Sequence, residues 1–454
     1  MFVILAAVLV LAGAGGGLGL WLASGSGPPT SGLPVLWRHE RPVSDCLKSY
    51  DAAPWTADGL AVMCSGAASL VAYRPGTGRV AWTWTMPKSP GVPNIDSLST
   101  STDDGIGVIQ YTYGIKGLAY LAGIDIRDGR ELWSLPEAPA DGGATWVGGG
   151  RFMVLNPVGR HSLTGLAVYD LATGRPDWST ATRPVPASAG CAIRDAAIAA
   201  PWIYAVAACG ADHAGRLYQM SLGDGAVLAR AALKDRTCQA ARDSPTVWAV
   251  PGYVLSGCDA VPSAGPDLDV IPAGGTRQIP LSWAGHPRYL DYLSNDLYPP
   301  DMAVSRDSLY LSVGLVTPKN QGVNLIAAID LPAARLRWFK SVSIPGEAPG
   351  SVTYPVNLVG ASPGGVLDVI ENVSSNSTEM TGLSSMTLSV LSASNGTMTY
   401  GPGATYPGGI NDQPVYWLDG RVLLSAHGCA LAVCPGNSVT DTITAYNTGS
   451  FRPR

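Results

Sequence analysis

Eight cysteines are the side chains of this 454-residue chain with the most chemistry to offer: Cys46, Cys64, Cys191, Cys209, Cys238, Cys258, Cys429 and Cys434. An even number fits disulfides formed in an oxidising compartment, and free thiols would instead be small buried apolar groups. Zinc would need His and Cys ligands in clusters. The five histidines, His39, His161, His213, His286 and His427, form neither H-x-x-x-H nor H-x-H. His427 beside Cys429 and Cys434 is the one local grouping, and a disulfide is its simpler reading. No G-x-S-x-G elbow, phosphate-binding loop or dinucleotide fingerprint stands between a strand and a helix. The glycine run from Val147 to Gly150 has no helical pattern after it. The residue types therefore lead to no catalytic set, no metal site and no cofactor. Asn372, Asn376 and Asn395 lie in N-x-S/T sequons, which matter only in a host that glycosylates.

The elements that must position these residues repeat. The segments AYRPGTGRVAW, GIDIRDGRELW and VYDLATGRPDW each hold a short apolar strand, a polar turn ending in Gly, and a strand carrying Trp. Gly78 precedes Trp82, Gly129 precedes Trp133, and Gly174 precedes Trp178, always by four residues. Weaker copies place turns at Gly225, Gly275, Ala334, Gly396 and Gly449, with Trp338 following Ala334. In three units the Trp slot decays to Ala229, Ile279 and Tyr400. Turn spacing runs from 45 residues (129 to 174) to 62 (334 to 396), which suits four antiparallel strands and their loops. Such a unit buries its apolar face only against neighbours, so the repeat predicts a circular array of blades. After Gly449 the given chain has no Trp-bearing strand, whereas LPVLWRHE near the N-terminus has one with no turn before it. Trp37 therefore completes the last blade. The expectation is an all-β, eight-bladed β-propeller over residues 33–454, closed by N- and C-terminal strands. Seven blades plus a stray hairpin would leave Trp37 without a role.

The repeat also phases the cysteines. Cys64, Cys209, Cys258 and Cys434 stand 14, 16, 17 and 15 residues before Gly78, Gly225, Gly275 and Gly449. They occupy similar places in four blades, which predicts the pairs Cys46–Cys64, Cys191–Cys209, Cys238–Cys258 and Cys429–Cys434.

The repeat resembles the pyrroloquinoline-quinone-type (PQQ-like) propeller repeat, with its A-x-D-x-x-T-G-x-x-x-W signature. The match is closest from Ala167 to Trp178, where Asp170, Thr173, Gly174 and Trp178 fill the Asp, Thr, Gly and Trp slots. Asp125, Asp128, Gly129 and Trp133 fit nearly as well, and the GH…WD pattern of another propeller family is absent. The resemblance implies that the tryptophans pack between blades. It embraces quinone-dependent alcohol dehydrogenases and a non-enzymatic lipoprotein of outer-membrane protein assembly. The enzymes hold a quinone, a Ca²⁺ on carboxylate and amide oxygens, an Asp base and a vicinal Cys-Cys ring. No adjacent cysteines occur in this chain. Asp103 with Asp104, Asp267 with Asp269, and Asp291 are metal candidates by composition only. The non-enzymatic members are therefore the nearer likeness.

Charged residues make up 14% of the chain, the net charge is −5, and no basic stripe invites nucleic acid. Residues 1–23 carry no charge and are long enough to span a bilayer as one helix. A cleaved signal peptide is the competing reading, but no A-x-A site follows and no Cys stands ready for lipid. Arg38 and Arg41 lie C-terminal to the run and taken alone favour a cytoplasmic propeller. The cysteines favour the extracytoplasmic side and weigh more. Residues 24–32, SGSGPPTSG, form a short linker that keeps one rim of the ring close to the membrane. The functional expectation is a single-pass, membrane-anchored extracytoplasmic scaffold or accessory subunit, partnered by another membrane or envelope protein. The alternative is a quinone-dependent dehydrogenase or small-molecule binder using the central funnel.

Overall fold

Strands of four to ten residues dominate because the sequence alternates short apolar runs with Gly-bearing turns. A computed structural model describes residues 32–42, 55–66, 68–87, 94–99, 101–113, 118–136, 145–156, 165–180, 191–209, 214–233, 245–258, 268–281, 302–316, 322–342, 356–372, 383–407, 415–418, 422–428, 440–448 and 451. Among them stand eight four-stranded antiparallel sheets. Sheet 1 is Trp55–Ala57, Leu60–Ser65, Ser69–Tyr73 and Val80–Thr85, hydrogen-bonded in that order. Sheets 2 to 7 repeat this meander within residues 94–136, 145–179, 191–232, 245–280, 302–341 and 356–407. Sheet 8 takes three strands from residues 415–447, and its fourth is the N-terminal strand Val35–Pro42. The fold is a β-propeller.

Burial separates the strands within a sheet. The second strand of sheet 4, Trp202–Cys209, is buried at nearly every residue, whereas the fourth, Val227–Ala232, alternates half-buried and exposed. A strand buried on both faces reads as a continuous apolar run, and an edge strand alternates. First strands of neighbouring sheets, such as Cys191–Ala199 and Pro245–Val250, lie against one another, so they are innermost. The core is correspondingly divided into clusters that each bridge two consecutive sheets. One joins Ile106, Leu121 and Trp133 to Phe152 and Leu171, and another joins Met153 and Trp178 to Ile203 and Met220. A cluster of Trp37, Ile443 and Ala445 with Ala61, Met63 and Tyr73 bridges sheet 8 to sheet 1.

Both kinds of short turn lie at one end of the sheets, called here the turn end. Hairpins between first and second strands use Asp58–Gly59, Asp104–Gly105 and Gly149–Gly150, all with positive φ, as two-residue hairpins require. Turns between third and fourth strands are tied to them, for instance by Ile126 N–H donating to the Gly105 carbonyl and Leu171 N–H to the Gly150 carbonyl. Connections from second to third strand, and from sheet to sheet, leave from the opposite end. They include the longest: one strand ends at Pro280 and the next begins at Met302.

The turn expected at Gly275 differs. Gly274 takes the positive φ, at 93°, and Val270 pairs with Ile279 without the β-bulge that precedes the Trp slot in sheets 1 to 4 and 6. One residue fewer in the turn removes the bulge and moves the left-handed position. Residues 1–31, Gly449, Cys46, Cys238, Cys429 and Cys434 lie outside the described residues.

Candidate functional site

The repeated contact is a tryptophan of one sheet laid on the turn of the next. Trp82 Nε1 donates to the Ile126 carbonyl at 2.7 Å, Trp133 to Leu171 at 2.7 Å, and Trp178 to Leu222 at 3.0 Å. Trp338 donates to Ala393 at 3.0 Å, and Trp37 to Pro75 at 2.6 Å. Each acceptor precedes a turn glycine by three residues. A Cβ built on those glycines would stand 2.5 to 2.7 Å from the ring: Gly129 against Trp82, Gly174 against Trp133, Gly225 against Trp178, Gly396 against Trp338, and Gly78 against Trp37. The turn glycine is therefore held by two demands at once, a left-handed φ near 70° and the absence of a side chain. A buried indole N–H needs an acceptor, and the turn carbonyl supplies it.

Where the indole is missing, the turn changes with it. Ile279 stands in the slot facing the turn of sheet 6, and there the residue is Ala334, buried with φ 46°. The smaller side chain leaves room for the methyl group. Ala229 stands in the slot facing sheet 5, and the contact is rebuilt from the second strand of sheet 4. Trp202 packs over Gly274, while Tyr204 OH accepts from Gly274 N–H at 2.8 Å and donates to the Gly275 carbonyl at 3.0 Å. Nothing in the repeat pattern pointed to Trp202 or Tyr204; their only sequence signal is an aromatic pair spaced to share one strand face.

The closing contact carries an addition. His39 Nε2 lies 2.8 Å from the Gly78 carbonyl, and its ring stacks on Tyr73 and stands tilted against Trp37, which itself stacks on Tyr73. Asn447 N–H donates to the Pro34 carbonyl across the chain ends, repeating the bond that Asp125 N–H makes to Arg130 inside the turn of sheet 2.

Polar side chains on and beside the inner strands mostly join sheets. Asp195 Oδ2 accepts from Val247 N–H at 2.8 Å, Asp103 Oδ2 from Gly150 N–H at 2.7 Å, and Ser101 Oγ donates to the Val147 carbonyl. Asp103 is thus occupied in a hairpin contact, Asp104 is an exposed turn residue, and Asp269 belongs to sheet 5. These metal candidates do not converge, and Asp267 and Asp291 lie outside the described residues. Among the described residues no three His, Cys, Asp or Glu side chains gather as a metal set. One inner carboxylate is different. Asp96 sits at a bulge in the strand Asn94–Leu98. Its Oδ1 accepts from Asn94 and Thr112, and its buried Oδ2 has no partner among the described residues. Burial raises its carboxyl above the usual range against the lowering effect of those two bonds.

Cys191 and Cys209 form a disulfide between facing residues of two adjacent strands, at the end opposite the turns. Cys64 is also disulfide-bonded. Cys258 ends the second strand of sheet 5 as Cys209 ends that of sheet 4, and Cys64 stands one residue before the end of the second strand of sheet 1.

No protein-family model matches this chain, and no curated protein does. Solved structures do. The quinohemoprotein alcohol dehydrogenase ADHIIG of Pseudomonas putida HK5 superposes with a TM-score of 0.51 at 11% identity, covering 93% of this chain and 77% of the enzyme. BamB of Moraxella catarrhalis gives 0.49 at 12% identity over 91% of this chain and 98% of its own. The WD40 domain of SCAP from fission yeast gives 0.47 at 9% identity, covering 93% and 98%. At these identities the likeness is one of fold.

Proposed function

We propose that the eight sheets are the blades of one closed ring, held at a membrane by residues 1–23 on its extracytoplasmic side. The ring acts as a protein-interaction scaffold or accessory subunit of an envelope complex. The observation that supports this is the unlike construction of the two ends. The turn end is locked by indoles and short hairpins, whereas the opposite end carries the disulfide and the longest connections. Long connections on a rigid frame are where binding surfaces arise. The disulfide also supports an oxidising compartment. Cross-linking and extraction of the full chain from its own membrane tests the reading. A stoichiometric partner cross-linked through the connection end is expected, and an uncross-linked monomer would defeat it.

Asp96 supports a second reading, a small ligand in the funnel. A raised carboxyl on an innermost strand is the kind of group that a bound molecule meets. Titration of the purified chain with the quinone and Ca²⁺, followed by absorbance, checks it. No spectral change in the wild type, or the same change in Asp96→Asn, removes it.

A further inference from the structure

The residue after the turn position is arginine in four sheets, Arg79, Arg130, Arg175 and Arg335, and in sheet 5 Arg277 stands two residues after Gly275. All five are exposed and none is in an ion pair among the described residues. All five lie where the third strand of a sheet turns into the fourth, so they form an arc along the outer rim of the turn end. The exposed carboxylates of this end are Asp58, Asp104 and Asp307 on the inner hairpins and Asp128, Asp177 and Asp224 on the outer rim, where Glu131, Asp170 and Asp330 are half-buried. Exposed arginines therefore outnumber exposed carboxylates on the outer rim of a chain whose net charge is −5.

Two independent features fall on the same rim. The exposed large apolar side chains among the described residues are Val35, Leu36, Val80 and Leu228, and each lies at the turn end of a fourth strand. The N-terminal segment also reaches the ring there. The Asn447 N–H to Pro34 carbonyl bond sets Pro34 at the place that Arg130 holds in sheet 2. The uncharged run 1–23 ends nine residues before Leu33 (24–32). Guanidinium groups interleaved with exposed aliphatic side chains suit the headgroup region of an anionic bilayer.

We infer that the outer rim of the turn end is a membrane-facing surface that binds anionic lipid headgroups through Arg79, Arg130, Arg175, Arg277 and Arg335. This rests on the anchoring reading for the origin of the tether, and it leaves the connection end free for a partner.

The full chain is reconstituted in vesicles of phosphatidylcholine alone, or of equal parts phosphatidylcholine and phosphatidylglycerol. Phenylglyoxal labelling of each arginine is then followed by mass spectrometry. On anionic vesicles at low salt, labelling of the rim arginines slows about fivefold, the factor by which an anionic surface attracts one basic side chain. High salt restores it. Insertion is scored separately by resistance to alkaline carbonate. A chain that inserts but labels equally on both vesicles overturns the inference and leaves the anchoring intact. A chain that does not insert, yet is bound and protected on anionic vesicles only, supports the inference and removes the anchoring. The triple variant Arg79→Glu, Arg130→Glu, Arg175→Glu, with its Cys191–Cys209 bond intact by peptide mapping, should lose the protection at Arg277 and Arg335. Unchanged protection there also overturns the inference.

Discussion

Gly174→Ala and Gly150→Ala make a matched pair that isolates what an indole adds to a turn. Both glycines have nearly the same backbone, with φ of 67° and 72°. A Cβ on Gly150 meets nothing within 4 Å, whereas one on Gly174 would stand 2.7 Å from Trp133 Cδ2. Gly150→Ala should therefore cost only the left-handed backbone penalty, roughly 1–2 kcal/mol. Gly174→Ala should cost that and a further 1–3 kcal/mol or so, because Trp133 must leave its position over the turn and lengthen its bond to Leu171. The assay is urea unfolding followed by far-ultraviolet circular dichroism, with both variants repeated in a Trp133→Leu background. There the second cost disappears, and the two alanines become equal within about 0.5 kcal/mol. Ala334 is the same change already present in the chain, tolerated where Ile279 replaces the indole. If Gly174→Ala and Gly150→Ala cost the same with Trp133 in place, the account of why these turns carry glycine is wrong.

Four other outcomes follow from the contacts. Trp37→Ala removes the ring over Gly78 and the bond to Pro75, and should cost roughly 3–5 kcal/mol. Hydrogen exchange should then accelerate first in Val35–Pro42 and Thr440–Asn447, because that strand pair joins the chain ends. Replacing Cys191 and Cys209 together by Ala opens a link of sequence separation 18 and should lower stability by about 3 kcal/mol, read as a shift of the urea midpoint. Asp96→Asn should raise the melting temperature at neutral pH and have no such effect below the ordinary carboxylate range. A carboxyl raised by burial loses stability as pH climbs through its folded pKa, and the amide has no charge to bury. Asp125 is the opposite case. The Arg127 guanidinium holds it below the usual range, so its contribution is present above about pH 4 and lost as acid protonates it. Asp125→Asn should therefore flatten the acid limb of the stability profile, measured by thermal melts from neutral pH downward.

The turn chemistry was legible from the sequence because it is local. T-G, D-G and N-G turns need only a few consecutive residues, and the glycines at 78, 129, 174, 225 and 396 all take the left-handed φ their spacing implied. The turn of sheet 5 was misread by one residue, since PAGG offers two adjacent glycines and only the lost bulge decides between them. The cysteine phasing could be read because the strands repeat, and the bond between Cys191 and Cys209 follows that frame. Trp202 and Tyr204 could not be found in this way. Their partners, Gly274 and Gly275, lie some seventy residues on, in another sheet.

By itself the sequence determined the period, the turns and the strands, because glycine φ, polar turn residues and apolar alternation act within a few residues. Tertiary structure decided which indole lies over which glycine and how the contact is rebuilt beside Ala229. It also brought five distant arginines to the end of the sheets at which the strand Val35–Pro42 begins. Those depend on packing between residues forty or more positions apart, where the size of one side chain sets what its neighbour is allowed to be.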